Sequence, residues 1–199
     1  QNNFNLETFL GNGNGTFAAP TLTPQPNSVA TAVAADFNRD GKPDVAMTGF
    51  TNSQVYFLPG NGSGGFGAIV PFDVSFSSNR FLTPADLNGD GRLDLIVGGN
   101  TFVARVLTGA ASGVFTVSGT ITGSGSSSIR NIQTGDLNDD GKVDLLIFRD
   151  GAVEVRLGNG DGTFVAPTVS AIDAQNTDNL TAADFNNDGK IDFAATDAN

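Results

Sequence analysis

Nine residues, Asp36-Phe37-Asn38-Arg39-Asp40-Gly41-Lys42-Pro43-Asp44, set a pattern that returns starting at Asp86, Asp136 and Asp184. The steps are 50, 50 and 48 residues. The chain is therefore a tandem array, and a period of that size decides the architecture ahead of any local reading. A second landmark keeps the same register. The Gly-rich turn Leu10-Gly11-Asn12-Gly13-Asn14-Gly15-Thr16-Phe17 recurs as Leu58 to Phe66, Leu107 to Phe115 and Leu157 to Phe164, and the closing phenylalanines are each 49 apart.

Within one unit the pattern is strand-like throughout. Val29 to Ala35 enters the acidic segment, and Val45-Ala46-Met47 leaves it, matched by Leu95-Ile96-Val97, Leu145-Leu146-Ile147 and Phe193-Ala194-Ala195. Short apolar runs between turn signals fit strands buried on both faces. Val55 to Leu58 and Phe66 to Val74 supply a third and a fourth strand. No ten residues show helical spacing, and 26 glycines in 199 residues disfavour helices. The expected fold is all-β, a β-propeller of four-stranded antiparallel blades with four blades encoded, in one domain over residues 1–199. Complete blades are expected at about 28–76, 78–125 and 128–175. Residues 177–199 hold the first two strands of a further blade and residues 1–23 the last two. Pairing these N-terminal outer strands with the C-terminal inner strands would close the ring.

The acidic segment offers oxygen at alternate positions, which suits a hard cation that takes six to eight oxygen ligands. In the first copy these are Asp36, Asn38, Asp40, the backbone carbonyl of Lys42, and Asp44. The equivalents are Asp86, Asn88, Asp90, the Arg92 carbonyl and Asp94; then Asp136, Asn138, Asp140, the Lys142 carbonyl and Asp144; and last Asp184, Asn186, Asp188, the Lys190 carbonyl and Asp192. Four calcium sites are expected, one per repeat. The glycine at position six (Gly41, Gly91, Gly141, Gly189) allows the sharp turn that gathers the ligands. The apolar residues at positions two and eight are expected to tuck beneath the loop, and the small residue before it (Ala35, Ala85, Gly135, Ala183) to mark tight packing. Asp, Asn and Gly also make ordinary turns, but a turn does not need three carboxylates in each of four copies. An EF-hand is excluded, because its position-twelve glutamate is replaced by Met47, Val97, Ile147 or Ala195.

Charge and composition narrow the function. The net charge of −11 resides mostly in these loops, which hold twelve of the twenty-one acidic residues at ligand positions; four divalent cations would leave −3. Ten basic residues against twenty-one acidic ones argue against nucleic acid as a partner. Without histidine or cysteine there is no Ser-His-Asp triad, no imidazole-ligated metal and no disulfide. No run of eighteen apolar residues is present, so no membrane insertion by a helix is expected. Outside the loops the acids are Glu7, Asp73, Asp150, Glu154, Asp161, Asp173, Asp178 and Asp197, most of them expected on the solvated surface, so no catalytic residue is assigned.

The Asp-x-Asn-x-Asp-Gly-x-x-Asp loop between two strands, with its following Gly-Asn-Gly-x-Gly-Thr-Phe turn, resembles the FG-GAP or VCBS repeat, to which integrin α-subunit blades are related. Phe17 to Pro20 and Phe164 to Pro167 fit the same pattern, and the resemblance covers essentially the whole chain. It implies a propeller and carries the loop ligands onto the positions named. Family propellers usually have seven blades and four are encoded here, so a self-closed monomer, part of a longer ring and a blade-sharing oligomer all stand open. The expected function is a calcium-stabilised module for binding, adhesion or scaffolding, secreted or at the cell surface, with an extracellular protein or a glycan as partner. A calcium-dependent lectin holding sugars between blades is the alternative, weakened by the absence of Trp and the single Tyr56. A metal-assisted hydrolase or polysaccharide lyase ranks below both.

Overall fold

The structure, a computed structural model, describes residues 4–26, 28–75, 79–99, 101–125, 127–149, 151–172 and 180–195. These residues form strands and turns without a helix. The strands are β1 (Phe4–Thr8), β2 (Thr21–Gln25), β3 (Val29–Ala35), β4 (Asp44–Gly49), β5 (Gln54–Leu58), β6 (Val70–Asp73), β7 (Asn79–Ala85), β8 (Asp94–Gly99), β9 (Val103–Gly109), β10 (Phe115–Thr122), β11 (Ile129–Gly135), β12 (Asp144–Arg149), β13 (Ala152–Arg156), β14 (Thr168–Ala171), β15 (Leu180–Ala183) and β16 (Asp192–Ala195).

Every pairing is between sequence neighbours and antiparallel. Three complete sheets have the orders β3-β4-β5-β6, β7-β8-β9-β10 and β11-β12-β13-β14. Two smaller sheets, β1-β2 and β15-β16, stand at either end. Among the described residues β16 and β1 do not pair, so the arc of sheets is not joined into a ring here. The acidic segment always links the first strand of a sheet to the second. Its last residue opens the second strand opposite the end of the first, as in Ala35↔Asp44, Ala85↔Asp94, Gly135↔Asp144 and Ala183↔Asp192.

Successive sheets stack through their first strands, β3 on β7, β7 on β11 and β11 on β15. Apolar side chains fill each seam. Between the first two complete sheets, Phe37, Val55, Phe57, Leu95, Val97 and Phe115 form one cluster. The rings of Phe37, Phe57 and Phe115 meet edge-on with centroids 5.6–6.4 Å apart, an arrangement favoured by the ring quadrupoles. The next seam holds Ile96, Ile121, Ile129, Ile132, Leu145 and Ile147. Leu6 of β1 packs on Met47, Tyr56 and Leu58 at one end of the arc, and Ala182 and Ala195 pack on Leu146 and Phe148 at the other.

Of the small residues before the loops, Ala35 and Ala85 pack against the core as expected, but Gly135 has room to spare. A Cβ placed on Gly135 would meet nothing within 4 Å. The crowding falls on the glycine after the third strand: a Cβ on Gly60 would lie 1.9 Å from the Pro43 carbonyl oxygen, on Gly109 2.4 Å from that of Leu93, and on Gly158 2.2 Å from that of Val143. Position eight of the loop thus acts through its carbonyl. Its side chain is exposed in Pro43 and Ile191 and only half-buried in Leu93 and Val143, whereas position two is buried in Phe37 and Leu87, half-buried in Leu137 and exposed in Phe185. We expect Gly60→Ala, Gly109→Ala or Gly158→Ala each to lower stability by about 1–3 kcal/mol, the cost of overpacking against a fixed backbone. Gly135→Ala is expected to be neutral or to stabilise by a few tenths of a kcal/mol. Urea denaturation of the four variants checks this, and equal effects at Gly60 and Gly135 would contradict it.

Candidate metal centre

All four acidic loops adopt one conformation despite their different residues. Position six has positive φ in each, at Gly41, Gly91, Gly141 and Gly189. So does position four, where Arg39, Gly89, Asp139 and Asn187 have φ between 60° and 71°. Arginine is not a residue that enters this region readily, so the surrounding hydrogen bonds impose it. Those bonds are the same in every copy. The N–H of position five donates to the side-chain oxygens of positions one and three, the position-six N–H donates to the other oxygen of position one, and the position-seven N–H donates to position five. The sixteen distances run from 2.7 to 3.2 Å. Asp36, Asn38 and Asp40 are thereby gathered around one turn, as are Asp86, Asn88 and Asp90; Asp136, Asn138 and Asp140; and Asp184, Asn186 and Asp188.

Position nine behaves differently. Asp44, Asp94 and Asp144 are buried. Their Oδ2 atoms accept the N–H of position two, from Phe37, Leu87 and Leu137, at 2.8–3.0 Å. Their Oδ1 atoms accept the N–H of Gly60, Gly109 and Gly158 at 2.8–2.9 Å. Each carboxylate ties the start of its loop to the turn that follows the third strand. Asp192 has the first bond, from Phe185 at 3.1 Å, but among the described residues no glycine amide reaches it, and it is only half-buried.

The amide bonds also set the charge state of the loop. The Arg92 N–H holds the Asp90 carboxyl below its ordinary range, and the Lys142 and Gly189 N–H groups do the same for Asp140 and Asp184. Burial pushes Asp94 the other way, against the amides of Gly109 and Leu87. The position-seven cations lie 3.4–3.5 Å from position five in the first three loops, exposed pairs that add little to stability. Among the described residues no group of three or more acidic side chains takes the arrangement of a formed metal centre. The donor set is all oxygen, from carboxylate, amide and backbone carbonyl. By its chemistry it fits a hard divalent cation and no soft one.

A family model for the FG-GAP-like repeat matches residues 1–47, 36–97 and 136–195. The chain belongs to the FG-GAP-like repeat family. Its three complete sheets are therefore blades, and the two smaller ones are partial blades. Among solved structures it is similar to an Agrocybe aegerita lectin, described as specifically recognising non-reducing terminal N-acetylglucosamine. Identity is 20% and the TM-score 0.69, over 94% of this chain and 54% of the lectin chain, so this chain spans a little over half of that protein's length. No curated protein matches by sequence.

Two features of the repeat were not visible in the pattern of residues alone. The glycine partner of position nine was one, although Gly11, Gly60, Gly109 and Gly158 recur 49 apart. The other is Glu154, expected at the surface with most of the remaining acids. Glu7, Asp73 and Asp161 are exposed, but Glu154 on β13 is fully buried; Asp150, Asp173, Asp178 and Asp197 lie outside the described residues. The Glu154 carboxylate pairs with Arg149 Nε at 2.5 Å and Arg156 at 3.4 Å. It also accepts bonds from the Ser124 N–H and hydroxyl at 2.6 and 2.7 Å. Arg156 donates to the Thr122 carbonyl, so the network bridges the second and third blades. Nothing in the repeat period announces this pairing, because Glu154 stands where Tyr56 and Arg105 stand in the other complete blades.

The two kinds of loop acid separate in calcium-free buffer. Asp44→Asn puts an amide nitrogen against a backbone N–H and is expected to cost about 1–3 kcal/mol or more. Asp40→Asn keeps the oxygen that accepts the Lys42 N–H and should stay within about 0.5 kcal/mol of the parent. Denaturant midpoints in EDTA decide it; equal losses would contradict the division.

Proposed function

We propose that the chain is a calcium-stabilised extracellular binding module, in which the loops stiffen one rim of each blade and ligand contacts come from the seams between blades. The observation that carries this reading is the single loop conformation kept in four copies, with left-handed backbone held even at Arg39, around an all-oxygen donor set. Asp36, Asn38, Asp40 and the Lys42 carbonyl, with their counterparts, would hold the ion, with Asp44, Asp94, Asp144 and Asp192 completing the set. When bound, calcium supplies positive charge that relieves repulsion among the loop carboxylates. Extracellular modules bind calcium at about 10⁻⁴–10⁻³ M, which matches millimolar surroundings. At ten times the dissociation constant each site adds about 1.4 kcal/mol, a sizeable part of a net stability of about 5–15 kcal/mol.

A glycan as the ligand is favoured by a seam cavity of about 470 Å³ lined by Pro24, Gln25, Pro26, Gln54, Tyr56 and Ile69 with Pro71. Gln25 is nine-tenths buried in its wall, and Pro24, Pro26 and Pro71 offer flat apolar faces beside Tyr56. The likeness to a lectin fold supports the same reading.

The thermal midpoint is expected to rise on adding calcium, fall on chelation and recover with calcium but not with magnesium. A melt unchanged by EDTA would overturn the calcium reading. For the glycan reading, a glycan array in calcium should be positive and Gln25→Ala should weaken the signal at least several-fold; an array without a hit would leave a protein as the ligand.

A further inference from the structure

We propose, resting on the calcium reading above, that the charge at position four grades the loops of the complete blades. The third loop takes up calcium before the first and second, and Arg39 of the first loop acts on the second as well as on its own. The loops share one backbone conformation and one donor set, so a difference between their sites must come from the remaining positions. Position four is where their charge diverges: Arg39 is positive, Gly89 neutral and Asp139 negative. It stands between positions three and five, so a charge there acts on the site at short range.

Arg39 reaches across to the neighbouring loop. A Cβ on Gly91, position six of the second loop, would lie 2.9 Å from Arg39 Nη2 and 3.5 Å from Nη1 and Cζ. The guanidinium therefore rests on the bare α-carbon of Gly91. The Gly91 N–H donates to Asp86 at 2.7 Å and Asp90 precedes it in the chain, so the positive charge is held over the residues that would hold the ion. No other loop is covered in this way among the described residues: a Cβ on Gly41, Gly141 or Gly189 would meet nothing within 4 Å. The position-seven cations Lys42, Arg92 and Lys142 each pair with position five of their own loop. Arg39 takes part in none of the ion pairs among the described residues, so its charge is not committed to a single carboxylate.

The sign follows from charge count, which tunes calcium affinity in loops of this kind. The second loop sets three carboxylates (Asp86, Asp90, Asp94) against two cations, Arg39 and Arg92. The first has the same balance, with Asp36, Asp40 and Asp44 against Arg39 and Lys42. The third sets four carboxylates (Asp136, Asp139, Asp140, Asp144) against Lys142 alone. An incoming dication meets the strongest attraction at the third loop, while Arg39 already offsets part of the repulsion in the other two. The rim then fills in steps as calcium rises.

The test is a calcium series followed by two-dimensional NMR at the amides of Gly41, Gly91 and Gly141, each of which donates to position one of its own loop and so reports on that loop. At low salt we expect the Gly141 midpoint to fall about three-fold or more below those of Gly41 and Gly91. Arg39→Gln should lower the Gly91 midpoint about three-fold and leave Gly141 in place, whereas Arg39→Lys, which keeps the charge, should leave Gly91 near the parent value. Asp139→Asn should raise the Gly141 midpoint and leave Gly91 unmoved. In about 1 M potassium chloride, where the Debye length shrinks to about 3 Å, the midpoints should converge. A Gly91 midpoint unmoved by Arg39→Gln, one moved equally by Arg39→Lys, or a single low-salt midpoint for all three loops would overturn the proposal and leave the calcium reading standing. Amides that do not respond to calcium at all would overturn both.

Discussion

A carboxylate buried at the start of the second strand holds each complete blade together. Asp44, Asp94 and Asp144 accept one amide from their own loop and one from the glycine beyond the third strand, so a single side chain fixes the loop, the strand it opens and the turn two strands away. A buried charge is tolerated only when it is hydrogen-bonded in this way. The glycine belongs to the same device: for its amide to reach the carboxylate, its Cα must come so close to the position-eight carbonyl that no side chain fits. Position nine and that glycine are one structural unit separated by fourteen to sixteen residues of chain.

With that anchor made, the remaining loop oxygens are free for other work. Positions one, three and five lie toward solvent at the rim, organised by backbone amides and holding eight of the twenty-one acidic residues. The seams between blades follow a different logic. The position four residues before the glycine holds Glu7, Tyr56, Arg105 and Glu154 in the four repeats, and its polar groups are met by quite different partners. Tyr56 bonds to Asn52 and Gln54, Arg105 reaches the Val74 carbonyl, and Glu154 enters an ionic network. The repeat keeps its loops uniform and varies its seams, as a module does when a common frame presents different surfaces.

The sequence was most legible where physics repeats with the period. Alternating Asp, Asn, Asp and Gly located every acidic loop between the first and second strands, and the apolar runs at Val45, Leu95 and Leu145 marked central strands. The packing role given to Gly135 was wrong because smallness at one site has several causes, and only geometry tells a crowded glycine from a roomy one. The burial of Glu154 was illegible for a related reason. It depends on Arg149, Arg156 and Ser124 arriving from two blades, and no period links them. The left-handed backbone at Arg39 was hidden too, although Gly89 at the same position in the next repeat carried a hint of it.

The position-nine carboxylate is the clamp of the blade, and amide hydrogen exchange at single glycines tests that most directly. The N–H groups of Gly60, Gly109 and Gly158 are expected to exchange only through global unfolding, protected to the full stability of the chain, and to lose that protection when Asp44, Asp94 or Asp144 in the same blade is changed to Asn. Rapid exchange at these three glycines in the parent protein would contradict it.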